Sequence, residues 1–126
     1  MYGLSALGGV TVLYPLIPQD EVDYLIAKYR NKFMKAKKPQ ERAAVWQKVI
    51  HEFRIGCYLW HLEPEDCIGK AIWWITPRHT KYARWCEVCQ GVVTDVHNGA
   101  FFVQAGKKNV TVRIKHLLAL AGPGKE

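Results

Sequence analysis

Two periods divide the chain. Between residues 18 and 56 apolar side chains recur every three to four positions, and from residue 67 onward they recur every second position. The first spacing puts one stripe on a helix; the second puts one face on a strand. The helical half opens at Pro18-Gln19-Asp20, where the Asp20 carboxylate offers an acceptor to free amide groups and Glu21 and Asp23 sit where the helix dipole favours negative charge. Val22, Leu25, Ile26, Tyr29 and Phe33 form the stripe of a first helix. Pro39 cannot continue that helix but can begin another, so Lys35-Ala36-Lys37-Lys38 is the joint. Trp46, Val49, Ile50 and Phe53 mark the stripe of a second helix, which Gly56 ends. Two such helices with a short joint predict an antiparallel hairpin over residues 18–56.

The strand half begins with Ile68, Lys70, Ile72 and Trp74 alternating against Gly69, Ala71, Trp73 and Ile75, and Pro77 is expected to end this strand. Trp73 and Trp74 are neighbours and so face opposite ways; both are buried only if each face of the sheet is covered. A charged, aromatic loop over residues 78–84 leads to a strand over 85–96, with Gly91 expected as a bulge or bend. Asn98-Gly99 supplies the two positive-φ positions of a tight hairpin turn, so residues 100–105 return antiparallel. A turn at Gly106-Lys107-Lys108-Asn109 gives a third linked strand through Val110, Val112 and Ile114. Residues 115–120 read as a helical turn or short closing strand. His61, Glu63, Glu65 and Asp66 fall in a polar connection between the halves.

This series, with Ile68-Gly69-Lys70-Ala71-Ile72-Trp73-Trp74, Gly91-Val92-Val93-Thr94-Asp95-Val96, the Asn-Gly turn, Phe101-Phe102-Val103, Val110-Thr111-Val112-Arg113-Ile114 and the terminal Leu117-Leu118, resembles an SH3-like or KOW-like small β-barrel over residues 67–120. The resemblance implies a module of the kind that binds RNA, DNA or peptides, and fixes no functional residue. The expected fold is α+β: an N-terminal antiparallel helical hairpin packed on a small SH3-like antiparallel β-barrel. The 126 residues suffice for one domain, with 1–17 an apolar strand or arm and 121–126 a flexible tail. Val10 to Tyr14 is a candidate to extend a sheet edge within the chain or in a second copy, which admits a homo-oligomer.

Charge changes the picture most. Nine cations and two carboxylates lie between Lys28 and Arg54, so this stretch holds the whole net charge of +7 while the remainder is neutral. A local field of one sign speaks to polyanionic partners. The candidate contacts for nucleic acid or an acidic protein surface are Lys28, Lys32, Lys35, Lys37, Lys38 and Arg42 on the helical pair. Arg78, Lys81, Tyr82, Arg84 and Trp85 join them from the loop, where rings can stack and cations meet phosphate. The expectation is a small basic non-enzymatic nucleic-acid-binding accessory factor. The alternative is a protein-binding adaptor or inhibitor, of the phage or mobile-element type, docking its basic face on an acidic or nucleic-acid-binding groove.

Cys86 and Cys89 have the spacing of half a zinc knuckle, which Cys57, His61, Cys67, His79 or His97 would have to complete. Three residues apart on a strand they face opposite sides, so free cysteine and no cofactor is the expectation. Glycine-rich phosphate loops, Gly-x-Ser-x-Gly and His-Glu-x-x-His are absent from the sequence, and no catalytic residue is assigned. The apolar stretch 4–17 is broken by Gly8, Gly9 and Pro15, shorter than the roughly 20 residues of a membrane span, and not preceded by the basic residue of a secretory signal. A cytoplasmic protein without a membrane partner is expected.

Overall fold

Among the described residues the two periods are realised as two helices and seven strands. The computed structural model describes residues 12–123. In chain order these form β1 (Val12–Pro18), α1 (Gln19–Lys35), α2 (Pro39–Gly56), β2 (Tyr58–Leu62), β3 (Ala71–His79), β4 (Arg84–His97), β5 (Ala100–Ala105), β6 (Lys108–Arg113) and β7 (Leu117–Gly122). Short 3-10 turns lie at Pro64–Cys67 and Ile114–His116. Residues Val10 and Thr11 of the expected edge strand, the rest of the 1–17 arm before them, and 124–126 of the tail lie outside the described residues.

The strand order is β2-β1-β7-β3-β4-β5-β6. β1 and β7 run parallel and every other neighbouring pair is antiparallel, so the sheet is mixed. It curls into a half-barrel. Tyr14 and Leu16 from β1, Ile72 and Trp74 from β3, Phe101 and Val103 from β5 and Val112 from β6 gather on its concave side. The convex side packs on the helices through Ile17, Val22, Leu25, Tyr29, Val49, Ile50, Phe53, Trp73, Leu118 and Ala119.

This corrects the expected fold class. No small SH3-like antiparallel barrel carries a helical hairpin here; an open seven-stranded mixed sheet includes a strand before the helices and one directly after them. The reason is β7. It lies between β1 and β3, and its Leu118 and Ala119 face the helices while Leu120 faces the concave core. A strand covered on both faces has no polar alternation, so its central position is not visible in the pattern.

Local departures have local causes. α1 begins at Gln19 with the extended Pro18 as its cap residue, and Asp20 lies in its first turn. Ile26 is 49% exposed and leaves the expected stripe. β3 starts only at Ala71, after the 3-10 turn and Gly69 at φ +89°. Pro77 does not end β3, because β7 pairs with β3 only as far as Trp74 and no donor is required on that edge beyond it. The loop therefore shrinks to residues 80–83. Gly91 marks a close approach and not a bulge: a Cβ there would lie 2.8 Å from the Gln104 carbonyl oxygen. The register shift falls between Val93 and Asp95. Asn98 and Gly99 take φ 51° and 74° as a tight hairpin requires. Trp73 and Trp74 are 1% and 6% exposed, one against the helices and one in the concave core. Among the described residues no helix is long and apolar enough to cross a membrane.

Candidate functional site

The outer face of α2 repeats small and polar side chains at helical spacing: Ala43, Ala44, Gln47, Lys48 and His51. The alanines keep this wall low. Opposite stands the end of the β3–β4 hairpin, with Ile75, Arg84, Trp85 and Cys86. Between the two walls runs a groove of ≈ 1170 Å³, closed at one side by Lys28 and Tyr29 of α1. Its cations are Lys28, Lys48, Arg54 and Arg84, and Glu52 is the one carboxylate among its described lining residues.

Glu52 is already engaged. Lys28 Nζ lies 2.9 Å from Glu52 Oε1, and the Tyr29 hydroxyl donates to Glu52 Oε2. The hydrogen bond from Tyr29, with that from Lys28, holds the Glu52 carboxyl below its ordinary range. The same bonds raise the Tyr29 phenol and the Lys28 ammonium above theirs. Lys48, Arg54 and Arg84 are then the groove cations that make no ion pair among the described residues, and all three are exposed.

The structure divides the expected site residues. Lys28, Arg84 and Trp85 line the groove, whereas Arg78, Arg84 and Trp85 line an adjoining cleft of ≈ 570 Å³ at the hairpin end. Arg78 and Trp85 are cross-strand partners and share Glu87: Arg78 Nε lies 3.4 Å from Oε1, and the indole N–H donates to Oε2 at 2.9 Å. Lys81 and Tyr82 occupy the exposed hairpin tip, with the Lys81 ammonium 5.1 Å from the Tyr82 ring centre. Lys32 stands over the Tyr29 ring at 5.0 Å. Lys35, Lys37, Lys38 and Arg42 cluster around the joint between the helices and do not line the groove. There the Glu41 carboxylate accepts the backbone N–H groups of Lys37 and Lys38, both at 3.0 Å, and the Lys38 bond foremost depresses its pKa.

Lys48, His51 and Arg54 line the groove and lie outside the expected set of contact residues. Their signal was the i, i+3, i+6 spacing on a helix face that also carries Ala43 and Ala44. Cys86 packs toward the helix side of the sheet and Cys89 toward the concave side, where it meets Thr76 Oγ1 at 3.2 Å. The pair cannot chelate one ion. Among the described residues no cluster of three or more His, Cys, Asp or Glu side chains is placed to hold a metal.

Comparisons with protein-family models, with curated proteins and with solved structures give no match to this chain.

Proposed function

We propose that this protein is a non-enzymatic accessory factor that binds nucleic acid through the sugar–phosphate backbone, seated in the groove between α2 and the β3–β4 hairpin. One observation carries the reading: Lys48 and Arg54 on one wall and Arg84 on the other line a concave surface whose only carboxylate among the described residues is taken up by Lys28 and Tyr29. A phosphate chain entering this space meets cations on two sides and displaces its own counterions. The joint lysines and Arg42, outside the groove, extend the positive field and raise the encounter rate without contributing close contacts. Arg78, Lys81 and Tyr82 supply a second, exposed contact area at the hairpin end.

The test is the salt dependence of binding to labelled oligonucleotides, followed by fluorescence anisotropy. Three to four neutralised phosphates predict a slope of log K against log salt of about −2 to −4. A flat slope removes the reading; co-purification of an acidic protein after nuclease treatment would transfer the groove to a protein surface.

A further inference from the structure

A second cleft lies on the far side of α1. Helix α1 rests against α2 and β1, and α2 covers β4, which leaves a wedge between α1 and β4 that no described side chain fills. Its volume is ≈ 400 Å³. Leu25, Phe33, Trp46, Val49 and Phe53 form its walls, Trp73 and Val88 belong to its sheet side, and Ile26 and Met34 stand at its rim, 49% and 65% exposed. Polar groups interrupt this lining at Tyr29, whose hydroxyl is engaged by Glu52, and at the exposed Arg30 and Gln90. Gln90 accepts the Trp73 indole N–H at 3.2 Å. Arg30, one helical turn from both Ile26 and Met34, is exposed and makes no ion pair among the described residues.

The dimensions select the occupant. From Val22 to Met34 the helix advances about 18 Å, so ≈ 400 Å³ corresponds to a mean section of about 22 Å². An α-helix, about 10 Å across, needs about 80 Å², so the cleft does not take a partner helix between its walls. At about 30 Å³ per atom, the share of a liquid water molecule, ≈ 400 Å³ holds about 13 non-hydrogen atoms. Spread over about 18 Å of helix, they follow one another in single file. That is an extended alkyl chain. The unpaired guanidinium at the rim completes it with an anionic head, and for a planar fork of donors the matching head is a carboxylate.

We propose that the α1–β4 cleft binds a free medium-chain alkyl carboxylate of about ten to twelve carbons, its chain against Trp73 and Val88 and its carboxylate on Arg30. This site shares only Tyr29 with the described lining of the groove, and it does not depend on the nucleic-acid reading. An arginine that only covered apolar surface with its stem would be replaceable without any change in head-group preference, and the test uses this difference.

Dodecanoate, dodecanol and butanoate are titrated into the full chain below micelle-forming concentrations, followed by calorimetry and tryptophan fluorescence. Dodecanoate is expected to saturate one site and butanoate to give no signal. Arg30→Gln should weaken dodecanoate about tenfold and leave dodecanol unchanged, whereas Lys35→Gln, which removes a cation from the same helix, should alter neither. Val88→Phe fills the cleft and should abolish binding with the thermal transition retained; if that variant does not fold, Ile26→Asp at the exposed rim provides the same block. Uptake without saturation, equal responses of Arg30→Gln and Lys35→Gln, or flotation of the protein with anionic phospholipid vesicles in place of one-site binding would overturn the proposal.

Discussion

The rings of Tyr14 in β1 and Phe101 in β5 meet edge to face with their centres 5.8 Å apart, although β7, β3 and β4 lie between their strands. In a flat sheet four strand spacings would separate them by about 19 Å. The contact therefore measures the curl that converts an open sheet into a half-barrel, and it seals the concave core between strands distant in the order.

That contact should be worth measuring as a pair. Phe101→Ala is expected to cost about 3–5 kcal/mol, read from urea unfolding. A double-mutant cycle with Tyr14→Leu should give a coupling of about 0.5–1.5 kcal/mol. Independent effects would mean that the two strands do not meet.

Glu52 joins stability to binding. Its folded pKa is depressed, so its contribution is present above its ordinary 4.5 and is lost as pH falls through the lowered value. Glu52→Gln should therefore be less stable than the parent at pH 7, and the gap should close in acid. The same change frees Lys28 and removes the groove's carboxylate, so oligonucleotide affinity should rise while stability drops. Parallel losses of both would separate the groove from the binding surface.

Charge reversal distinguishes the groove from the joint. Lys48→Glu with Arg54→Glu should reduce oligonucleotide binding at least tenfold and flatten the salt slope by about two. Lys35, Lys37 and Lys38 changed together to Glu should have the smaller effect at equilibrium and act mainly on the association rate. All these side chains are exposed, so each substitution should shift stability by less than about 0.5 kcal/mol. The reverse ranking would place the contact at the joint.

Two thiols report on the packing. Burial pushes Cys57 and Cys67 up to about 11 from an ordinary 9.0. At pH 8 both should resist iodoacetamide in the folded protein and react after urea unfolding, as peptide mass mapping would show. Because the folded state favours the protonated thiols, stability should decline as pH rises from 9.0 toward about 11.

What the sequence alone determined was local. Pro39 opening α2, Asn98-Gly99 forming a hairpin turn and the 3.6-residue stripe of Val49, Ile50 and Phe53 each follow from the chemistry of a few adjacent residues. The concentration of charge between Lys28 and Arg54 was equally plain, but linear density drew attention to the joint lysines, whereas the groove is assembled from Lys48 and Arg54 on one element and Arg84 on another. Only the tertiary structure decided that Tyr58–Leu62 is an edge strand, that β7 enters parallel to β1, and that Trp73 and Trp74 are both covered. The physical reason is that strand partners are chosen by burying faces between segments far apart in the chain, and a residue pattern records how a segment is buried without recording against what.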